Sequence, residues 1–231
     1  MPFDAIFFDA GNTLLFINPA EVLPILLEVG VESTEDAFWE AEFHARLRLA
    51  RTVKEGATGT EASVWQVYFS ELFLRCGAPP EAVPFVGDRV KAVHEENHLW
   101  THLDPATAPA LETLKSRGFR LAVISNADGR IEDLIRDAGI HHLFEFVIDS
   151  AVVGVEKPDP EIFLHACRRM GVEPGDSLYV GDLFPVDVLG ARGAGMEAIL
   201  LDPMGRLDHP VARIPNVAAL PGYLHRLSSR P

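Results

Sequence analysis

The sequence predicts an α/β protein with a doubly wound parallel sheet and a helical domain inserted after the first strand. Three observations support this prediction. Short, continuously apolar segments alternate with helix-like segments over residues 102–231, which is typical of a parallel sheet covered on both faces. Another apolar segment at residues 4–8 supplies the first strand. Residues 19–100, which lie between, show apolar residues at helical spacing and no strand-like segment.

The predicted elements follow one another in a simple order. The strand at residues 4–8 ends at Asp9 and leads into a Gly-Asn turn. Four helices then occupy residues 19–100, separated by glycine and proline. The later strands are predicted at 121–124, 146–148, 178–180 and 198–200, and the later helices at 105–117, 129–138, 159–170, 185–194 and 217–228. This pattern predicts a core domain of residues 1–15 and 102–231 and a four-helix cap domain of residues 16–101.

Composition and charge exclude several classes of function. The 231 residues are 48% hydrophobic, which is enough for a sizeable core and a small second unit. A net charge of -14 argues against nucleic acid or an anionic membrane as the main partner. Two cysteines are too few for a disulfide framework or a zinc site. Neither a signal peptide nor a membrane span is recognisable, so we expect a cytoplasmic protein, monomeric or homodimeric, that acts on a small molecule.

Polar residues follow the predicted strands at their carboxyl ends, where open parallel sheets bind ligands. Asp9 follows the first strand, Ser125 and Asn126 follow the second, and Asp182 follows the fourth. Lys157, one of four lysines in the chain, precedes a predicted helix. Each residue taken alone is better explained as a turn, a helix cap or a surface residue. The ordered set at adjoining strand ends instead predicts one site.

Phosphoryl transfer accounts for this set of residues together. Asp9 would attack phosphorus as a carboxylate nucleophile and form an aspartyl phosphate. Asp182, with Asp187 a helical turn further on, would hold Mg²⁺, which prefers carboxylates, water and phosphate oxygens. Lys157 would bind phosphate and restrain the nucleophile electrostatically. The Ser125 hydroxyl and nearby backbone N–H groups would hold a phosphoryl oxygen.

These segments resemble the four motifs of the haloacid dehalogenase (HAD) superfamily, and the resemblance covers nearly the whole chain. The matching segments are Phe8-Asp9-Ala10-Gly11-Asn12-Thr13-Leu14, Ile124-Ser125-Asn126, Lys157-Pro158, and Gly181-Asp182 with Asp187. The resemblance implies a Rossmann-like core, a helical cap between the first and second motifs, and a hydrolase, most often a phosphatase. It implies catalysis by Asp9, Ser125 and Lys157, and substrate binding by Ser125, Asn126 and Lys157. The implied Mg²⁺ ligands are Asp9, the Gly11 carbonyl and Asp182, assisted by Asp187.

Position 11 departs from the pattern of the phosphatases in this superfamily. They usually carry an aspartate there, which serves as general acid and base, whereas this chain has Gly11. Such a group contributes about 10²–10⁴-fold to the rate, so hydrolysis of alkyl phosphates is expected to be slow. Acyl and aryl phosphates, whose leaving groups need no proton, are expected to be less affected. Asn12 stands where the family often has glycine, and asparagine tolerates the left-handed backbone of such a turn.

Four alternatives stay open at this stage. Dehalogenases of the superfamily also lack the second aspartate, but they lack the Gly-Asp fourth motif that this chain keeps at Gly181-Asp182. Phosphonatases use a cap lysine, for which Lys54 and Lys91 are the candidates. A degenerate member would bind a phosphorylated metabolite or a partner without turnover. A signalling receiver domain would accept phosphate on Asp9, but it has no need of a cap.

Overall fold

The structure is a computed structural model that describes residues 3–55 and 62–228. The chain divides into two compact units. The core unit consists of Met1–Phe16 and His102–Pro231, and the helical unit consists of Ile17–Thr101. The sequence places the corresponding boundaries after residues 15 and 101.

Parallel strands form the centre of the core unit. The strands in the described residues are β1 Ala5–Phe8, β2 Leu15–Ile17, β3 Trp100–Leu103, β4 Arg120–Ser125, β5 Val147–Asp149, β6 Ser177–Gly181, β7 Glu197–Leu201 and β8 Ala212–Ile214. Six of them make one sheet in the order β5-β4-β1-β6-β7-β8, and every neighbouring pair is parallel. The strand order reverses direction at β1, as in doubly wound sheets. The predicted fold class is therefore confirmed.

Helices surround this sheet and form the second unit. The α-helices in the described residues are α1 Pro19–Glu28, α2 Glu35–Lys54, α3 Ala62–Arg75, α4 Val83–Asn97, α5 Thr107–Ser116, α6 Ile131–Asp137, α7 Ser150–Val153, α8 Pro160–Met170, α9 Leu189–Gly193 and α10 Leu220–Ser228. The first four lie in the helical unit and the others in the core unit. Each region where the sequence predicts a helix therefore contains one.

Helix α8, which follows Lys157, shows how local sequence sets the helix ends. The Asp159 carboxylate accepts a hydrogen bond from the backbone N–H of Glu161, and Pro160 occupies the first turn. At the other end Gly171 adopts a left-handed backbone with φ of 72°, which glycine allows without steric cost. These signals fix where the chain leaves the loop containing Lys157 and enters the helix.

Each unit has its own apolar core. All four residues of β1 are fully buried, because helices cover both faces of the sheet. The core unit packs side chains such as Phe7, Ile124 and Phe163 against one another. The helical unit has a separate cluster that includes Phe38 and Leu72. Two separate clusters are consistent with the division of the chain into two units.

Several short elements of the structure were not predicted from the sequence. Strands β2 and β3 pair in a two-stranded sheet, and β8 adds an edge strand to the main sheet. The middle residues of β3 and of β8 are exposed, so these strands lack the apolar pattern that marks a buried strand. The helix predicted at 185–194 begins with a π-helical turn at Phe184–Val188 before α9.

None of the helices in the described parts of the chain is both long enough and apolar enough to cross a lipid bilayer.

Candidate active site

The site lies where the strand order reverses, at the carboxyl ends of three adjoining strands. β1 has β4 on one side and β6 on the other. Asp9 directly follows β1, Ser125 ends β4, and Asp182 directly follows β6. The backbone N–H of Asp9 donates to the carbonyl of Val180 at 2.9 Å, so the parallel ladder continues to the nucleophile candidate. The sheet therefore holds the backbone of Asp9 in place.

A tight turn follows Asp9 and leads into β2. Asn12 has a φ of 55°, and its N–H donates to the carbonyl of Leu15 at 2.7 Å. The carbonyl of Ala10 accepts from the N–H groups of Leu14 and Leu15, each at 2.9 Å. The expectation that asparagine would support a left-handed backbone at this position is confirmed.

Lys157 reaches into this site from the loop before α8. Its side chain is 2% exposed, and its Nζ atom donates to Asp9 Oδ1 at 2.6 Å and to Asp187 Oδ1 at 2.8 Å. A third bond runs to the hydroxyl of Tyr179 at 2.9 Å. Lys157 therefore contacts both Asp9 and Asp187 directly, and the structure places all three residues in one site.

Burial and charge act on Asp9 and Lys157 in opposite ways. Burial raises the pKa of Asp9 to about 6, although the nearby Lys157 ammonium counteracts that rise. Burial alone would lower the pKa of Lys157, but the carboxylates of Asp187 and Asp9 raise it above its ordinary value. The lysine therefore stays charged at neutral pH, and Asp9 is ionised above about pH 6 with Lys157 as its counter-ion.

Asp187 uses both carboxylate oxygens within the protein. Oδ1 accepts from Lys157, and Oδ2 accepts from the backbone N–H groups of Asp182 at 3.1 Å and Leu183 at 2.8 Å. The π-helical turn at Phe184–Val188 brings this carboxylate back onto the loop that follows β6. Asp187 therefore ties the position of Lys157 to the backbone that carries Asp182.

Asn126 contacts the backbone of Lys157 with both ends of its amide. Its Nδ2 donates to the carbonyl of Lys157 at 2.8 Å, and its Oδ1 accepts from the N–H of Lys157 at 2.7 Å. The peptide bond from Lys157 to Pro158 is cis. This side chain thus joins the end of β4 to the loop that carries the ammonium, while its contact with substrate stays a prediction. Ser125 is buried beside it, and its substrate contact also stays a prediction.

Two residues of this region were not predicted from the sequence to belong to the site. Tyr179 on β6 contacts Lys157, but in the sequence it reads only as an apolar residue of a buried strand. Asp149 ends β5, and its carboxylate accepts from the N–H groups of Gly129 at 2.9 Å and Ala151 at 3.0 Å. The position of Asp149 directly after the apolar residues 146–148 would have identified it as a strand-end carboxylate.

The carboxylates of this site suit a divalent cation. Ligand atoms of Asp9, Asp182 and Asp187 all lie within 4.8 Å of one another, and all three residues are buried. The cluster contains three carboxylates, two of which contact the ammonium of Lys157, so it carries an excess of negative charge when ionised. Oxygen ligands and excess negative charge are what Mg²⁺ prefers in proteins. The residues therefore fit the cation that the sequence predicts.

We expect Gly181→Ala to disrupt the site, because a Cβ atom there would lie 2.4 Å from Cγ of Asp187. Asp187 would have to move away from Lys157 and from the N–H groups of Asp182 and Leu183. Activity should fall about 10²-fold, as for other displacements of about an ångström, and thermal melting should occur several degrees lower.

Gly87→Ala is the matched control for that substitution. Gly87 lies within α4, and a Cβ atom there would have no atom within 4 Å. Because alanine favours a helix interior over glycine by about 0.5–1 kcal/mol, this variant should melt slightly higher than the wild type. Equal effects of both substitutions on melting and turnover would refute the role given to Gly181.

Comparison with known proteins finds matches over most of the chain. A family model described as haloacid dehalogenase-like hydrolase matches residues 3–195, which is most of the chain. The chain is 40% identical over 203 residues to a protein of Methanopyrus kandleri named glyceraldehyde 3-phosphate phosphatase, and the match covers 84% of this chain and 82% of the relative.

Two solved structures illustrate the likeness in fold. The 2-haloacid dehalogenase of Pseudomonas syringae is 27% identical, with a TM-score of 0.60 over 97% of this chain and 99% of the other. YfnB of Bacillus subtilis, described as a putative HAD-hydrolase bound to magnesium, is 21% identical, with a TM-score of 0.69 over 97% of this chain and 100% of the other. The second likeness concerns the fold alone.

Proposed function

Since the chain belongs to the haloacid dehalogenase-like hydrolases, we propose that it is a phosphatase that hydrolyses a small phosphorylated metabolite through a phosphorylated Asp9. The observation that carries this proposal is the environment of Asp9. Its carboxylate is buried, hydrogen-bonded to Lys157 at 2.6 Å, and grouped with the carboxylates of Asp182 and Asp187. This grouping supports the roles of nucleophile for Asp9, counter-ion for Lys157 and cation ligands for the carboxylates.

The name of the Methanopyrus kandleri relative supports phosphate ester hydrolysis. That protein is named for the removal of phosphate from glyceraldehyde 3-phosphate, a small alkyl phosphate, and it is 40% identical to this chain. A triose phosphate is therefore the first alkyl substrate to test. The acidic cluster also favours phosphate over halide, because the family's dehalogenases lack the Gly-Asp motif present here at Gly181-Asp182.

The proposed reaction has two displacements at phosphorus. In the first, an oxygen of Asp9 forms a bond to phosphorus while the ester P–O bond breaks and the leaving oxygen keeps the electron pair. In the second, water attacks phosphorus, the bond to Asp9 breaks, and inorganic phosphate leaves with the carboxylate restored. Lys157 holds Asp9 in one orientation, and the Ser125 hydroxyl would hold a phosphoryl oxygen.

Asp9, Asp182 and the carbonyl of Gly11 would hold Mg²⁺ in this proposal. The bound ion would neutralise charge on the phosphoryl oxygens. Asp187 would assist indirectly, because both of its oxygens already accept hydrogen bonds from Lys157 and from backbone N–H groups.

Gly11 sets the substrate preference in this proposal. An alkoxide leaving group needs a proton, and the aspartate that usually supplies it is absent at this position. An aryl oxide or a carboxylate leaves without one. The wild-type protein should therefore hydrolyse aryl and acyl phosphates faster than alkyl phosphates in the presence of Mg²⁺.

Gly11→Asp should restore that proton donor and raise turnover of glyceraldehyde 3-phosphate about 10²-fold, within the usual range for a general acid. Turnover of p-nitrophenyl phosphate should rise much less. Gly11→Asn is the matched control, since it adds a side chain of the same size that cannot donate a proton in the same way.

The outcome that would refute this account is an equal gain with alkyl and aryl phosphates. A gain with Gly11→Asn as large as that with Gly11→Asp would also contradict it. The screen that precedes these variants compares aryl, acyl and alkyl phosphates with and without Mg²⁺. Phosphate release that does not depend on Mg²⁺ would argue against the proposed cation site.

A dehalogenase is the second candidate, and two observations favour it. This chain has Gly11 where phosphatases have a second aspartate, and dehalogenases lack that aspartate too. A 2-haloacid dehalogenase is also 27% identical to this chain, in a match that covers 97% of it. In that reaction Asp9 would attack carbon and expel halide without a proton donor. Chloride release from a 2-haloacid without Mg²⁺, together with no phosphate release, would support this candidate and overturn the phosphatase proposal.

A further inference from the structure

The side chain of Lys157 has an acceptor for each of its three N–H bonds. Two acceptors are the Oδ1 atoms of Asp9 and Asp187, at 2.6 and 2.8 Å. The third is the hydroxyl oxygen of Tyr179, at 2.9 Å. All three N–H bonds of the ammonium are therefore paired within the protein, one of them with Asp9, while its contact with substrate stays a prediction.

Tyr179 is itself held in one orientation. It is fully buried on β6, and its ring meets that of Phe163 edge-on with centroids 5.0 Å apart. Its hydroxyl lies 3.0 Å from the carbonyl of Ile124, near the end of β4, and 3.3 Å from Oδ1 of Asp187, and it can donate its one proton to either. Whichever of the two accepts that proton, a lone pair of the hydroxyl oxygen is left to accept from Lys157. Burial, together with the charges of Asp187 and Asp9, raises the pKa of Tyr179 well above its ordinary value, so the group stays a neutral hydroxyl.

We propose that Tyr179 is a positioning residue that acts through Lys157, fixing the ammonium against one oxygen of Asp9 so that the other oxygen is presented for attack. The proposal rests on the proposed function, since it assigns Asp9 as the nucleophile. Tyr179 takes no part in bond making or breaking. It keeps the third N–H bond of the ammonium engaged, which prevents the side chain from turning away from Asp9.

Tyr179→Phe tests this role because it removes one oxygen atom and keeps the ring. The substitution removes the hydroxyl from a buried N–H of Lys157, from the carbonyl of Ile124 and from Oδ1 of Asp187. Turnover should fall about 10-fold, the factor expected for one lost buried hydrogen bond. KM should change less than about 2-fold, since the proposed role of Tyr179 concerns the orientation of the reacting Asp9 carboxylate.

Ser177→Ala is the matched control on the same strand. The Ser177 hydroxyl is also fully buried and donates to a backbone carbonyl, that of Glu173 at 3.0 Å. Ser177 lies at the amino end of β6, whereas Asp182 follows its carboxyl end, and Ser177 does not contact Lys157. This variant should lose stability to a similar extent and keep wild-type turnover. A loss of turnover in Ser177→Ala equal to that in Tyr179→Phe would show that the effect is one of general stability.

NMR of protein labelled with ¹⁵N-lysine measures the ammonium directly and needs no substrate. The chain has four lysines, and Lys54, Lys91 and Lys115 are exposed. Lys157 should therefore give the one NH₃⁺ signal that exchanges slowly with water. Tyr179→Phe should shift that signal and speed its exchange, whereas Ser177→Ala should leave it unchanged.

The turnover assay and the NMR measurement together distinguish a failure of this proposal from a failure of the proposed function. If no phosphatase activity is found but the Lys157 signal responds to Tyr179→Phe alone, the geometry is upheld and the assigned reaction is wrong. If phosphate is released and Tyr179→Phe changes neither the Lys157 signal nor turnover, the positioning role is wrong.

Discussion

Replacing Asp9 with asparagine is expected to abolish phosphate release, with a loss of at least about 10⁴-fold, as is usual when a covalent nucleophile is removed. Asparagine keeps the size of the side chain and can still accept from Lys157, so the fold should persist. Release of inorganic phosphate from p-nitrophenyl phosphate with Mg²⁺ is the measurement. Residual turnover above about one per cent of the wild type would contradict the nucleophile assignment.

Asp4→Asn is the matched control, because Asp4 is an exposed aspartate just before the amino end of the same strand. It should keep wild-type turnover. The same neutralisation, a carboxylate exchanged for an amide, would then abolish activity at one end of β1 and leave it unchanged at the other. A comparable loss in Asp4→Asn would indicate a general effect of charge on the protein.

Asp9→Asn should also change stability in a pH-dependent way. Burial raises the pKa of Asp9 from 3.8 to about 6, so the folded state binds this proton more tightly than the unfolded state does. The protonated carboxyl therefore contributes stability that is present below pH 3.8 and lost as the pH rises through about 6. Without metal at about pH 8, the melting temperature of Asp9→Asn should equal or exceed that of the wild type. The difference between the two melting temperatures should become smaller at about pH 5. Thermal melts in a chelator test this.

Lys157→Met is expected to damage both folding and catalysis. It would leave the buried carboxylates of Asp9 and Asp187 without their counter-ion. Removing one partner of a buried ion pair costs about 3–5 kcal/mol, and loss of the positioned charge should lower turnover about 10²–10³-fold. Chemical denaturation gives the free energy of unfolding, and phosphate release gives the turnover.

Two variants keep that expectation testable. Lys91→Met removes a lysine whose side chain is 65% exposed and whose pair with Glu95 spans 3.8 Å, so it should change stability by less than about 1 kcal/mol. Lys157→Arg keeps the charge but cannot place it on the same three acceptors, so it should fold better than Lys157→Met without regaining full activity. If Lys157→Met matched the wild type in stability and turnover, the role of the lysine would be refuted.

The sequence predicts the sheet well because its inner strands are continuously apolar. Segments such as residues 121–124 and 178–180 are buried on both faces, so their composition alone marks them as strands. The edge strand at Ala212–Ile214 has an exposed arginine, Arg213, in its middle and lacks that pattern. No sequence pattern marks the π-helical turn at Phe184–Val188 either. Its geometry goes with the hydrogen bond from the N–H of Leu183 to the Asp187 carboxylate, which only the folded chain shows.

The site was predictable where chemistry depends on residue type and strand order. Asp9 and Asp182 can be identified because parallel strands end at a common edge, whereas Lys157 and Asp187 were predicted from their residue types and from the resemblance to the four motifs. The double contact of Asn126 with the backbone of Lys157 could not be predicted, because it depends on a loop conformation far away in sequence. Tyr179 was missed for a similar reason, since only the folded chain shows what its hydroxyl contacts.

The most direct test of the central claim is to look for a phosphoryl group on Asp9. Because an aryl oxide leaves phosphorus without needing a proton, the first displacement should be fast with an aryl phosphate, and the phosphorylated protein should accumulate. Rapid mixing with p-nitrophenyl phosphate and Mg²⁺ should give a burst of p-nitrophenolate close to one equivalent per site. Mass spectrometry of the acid-quenched protein should then find one added phosphoryl group in the peptide that contains Asp9. Phosphate release without a burst and without a phosphorylated peptide, or a phosphoryl group on another residue, would contradict the account.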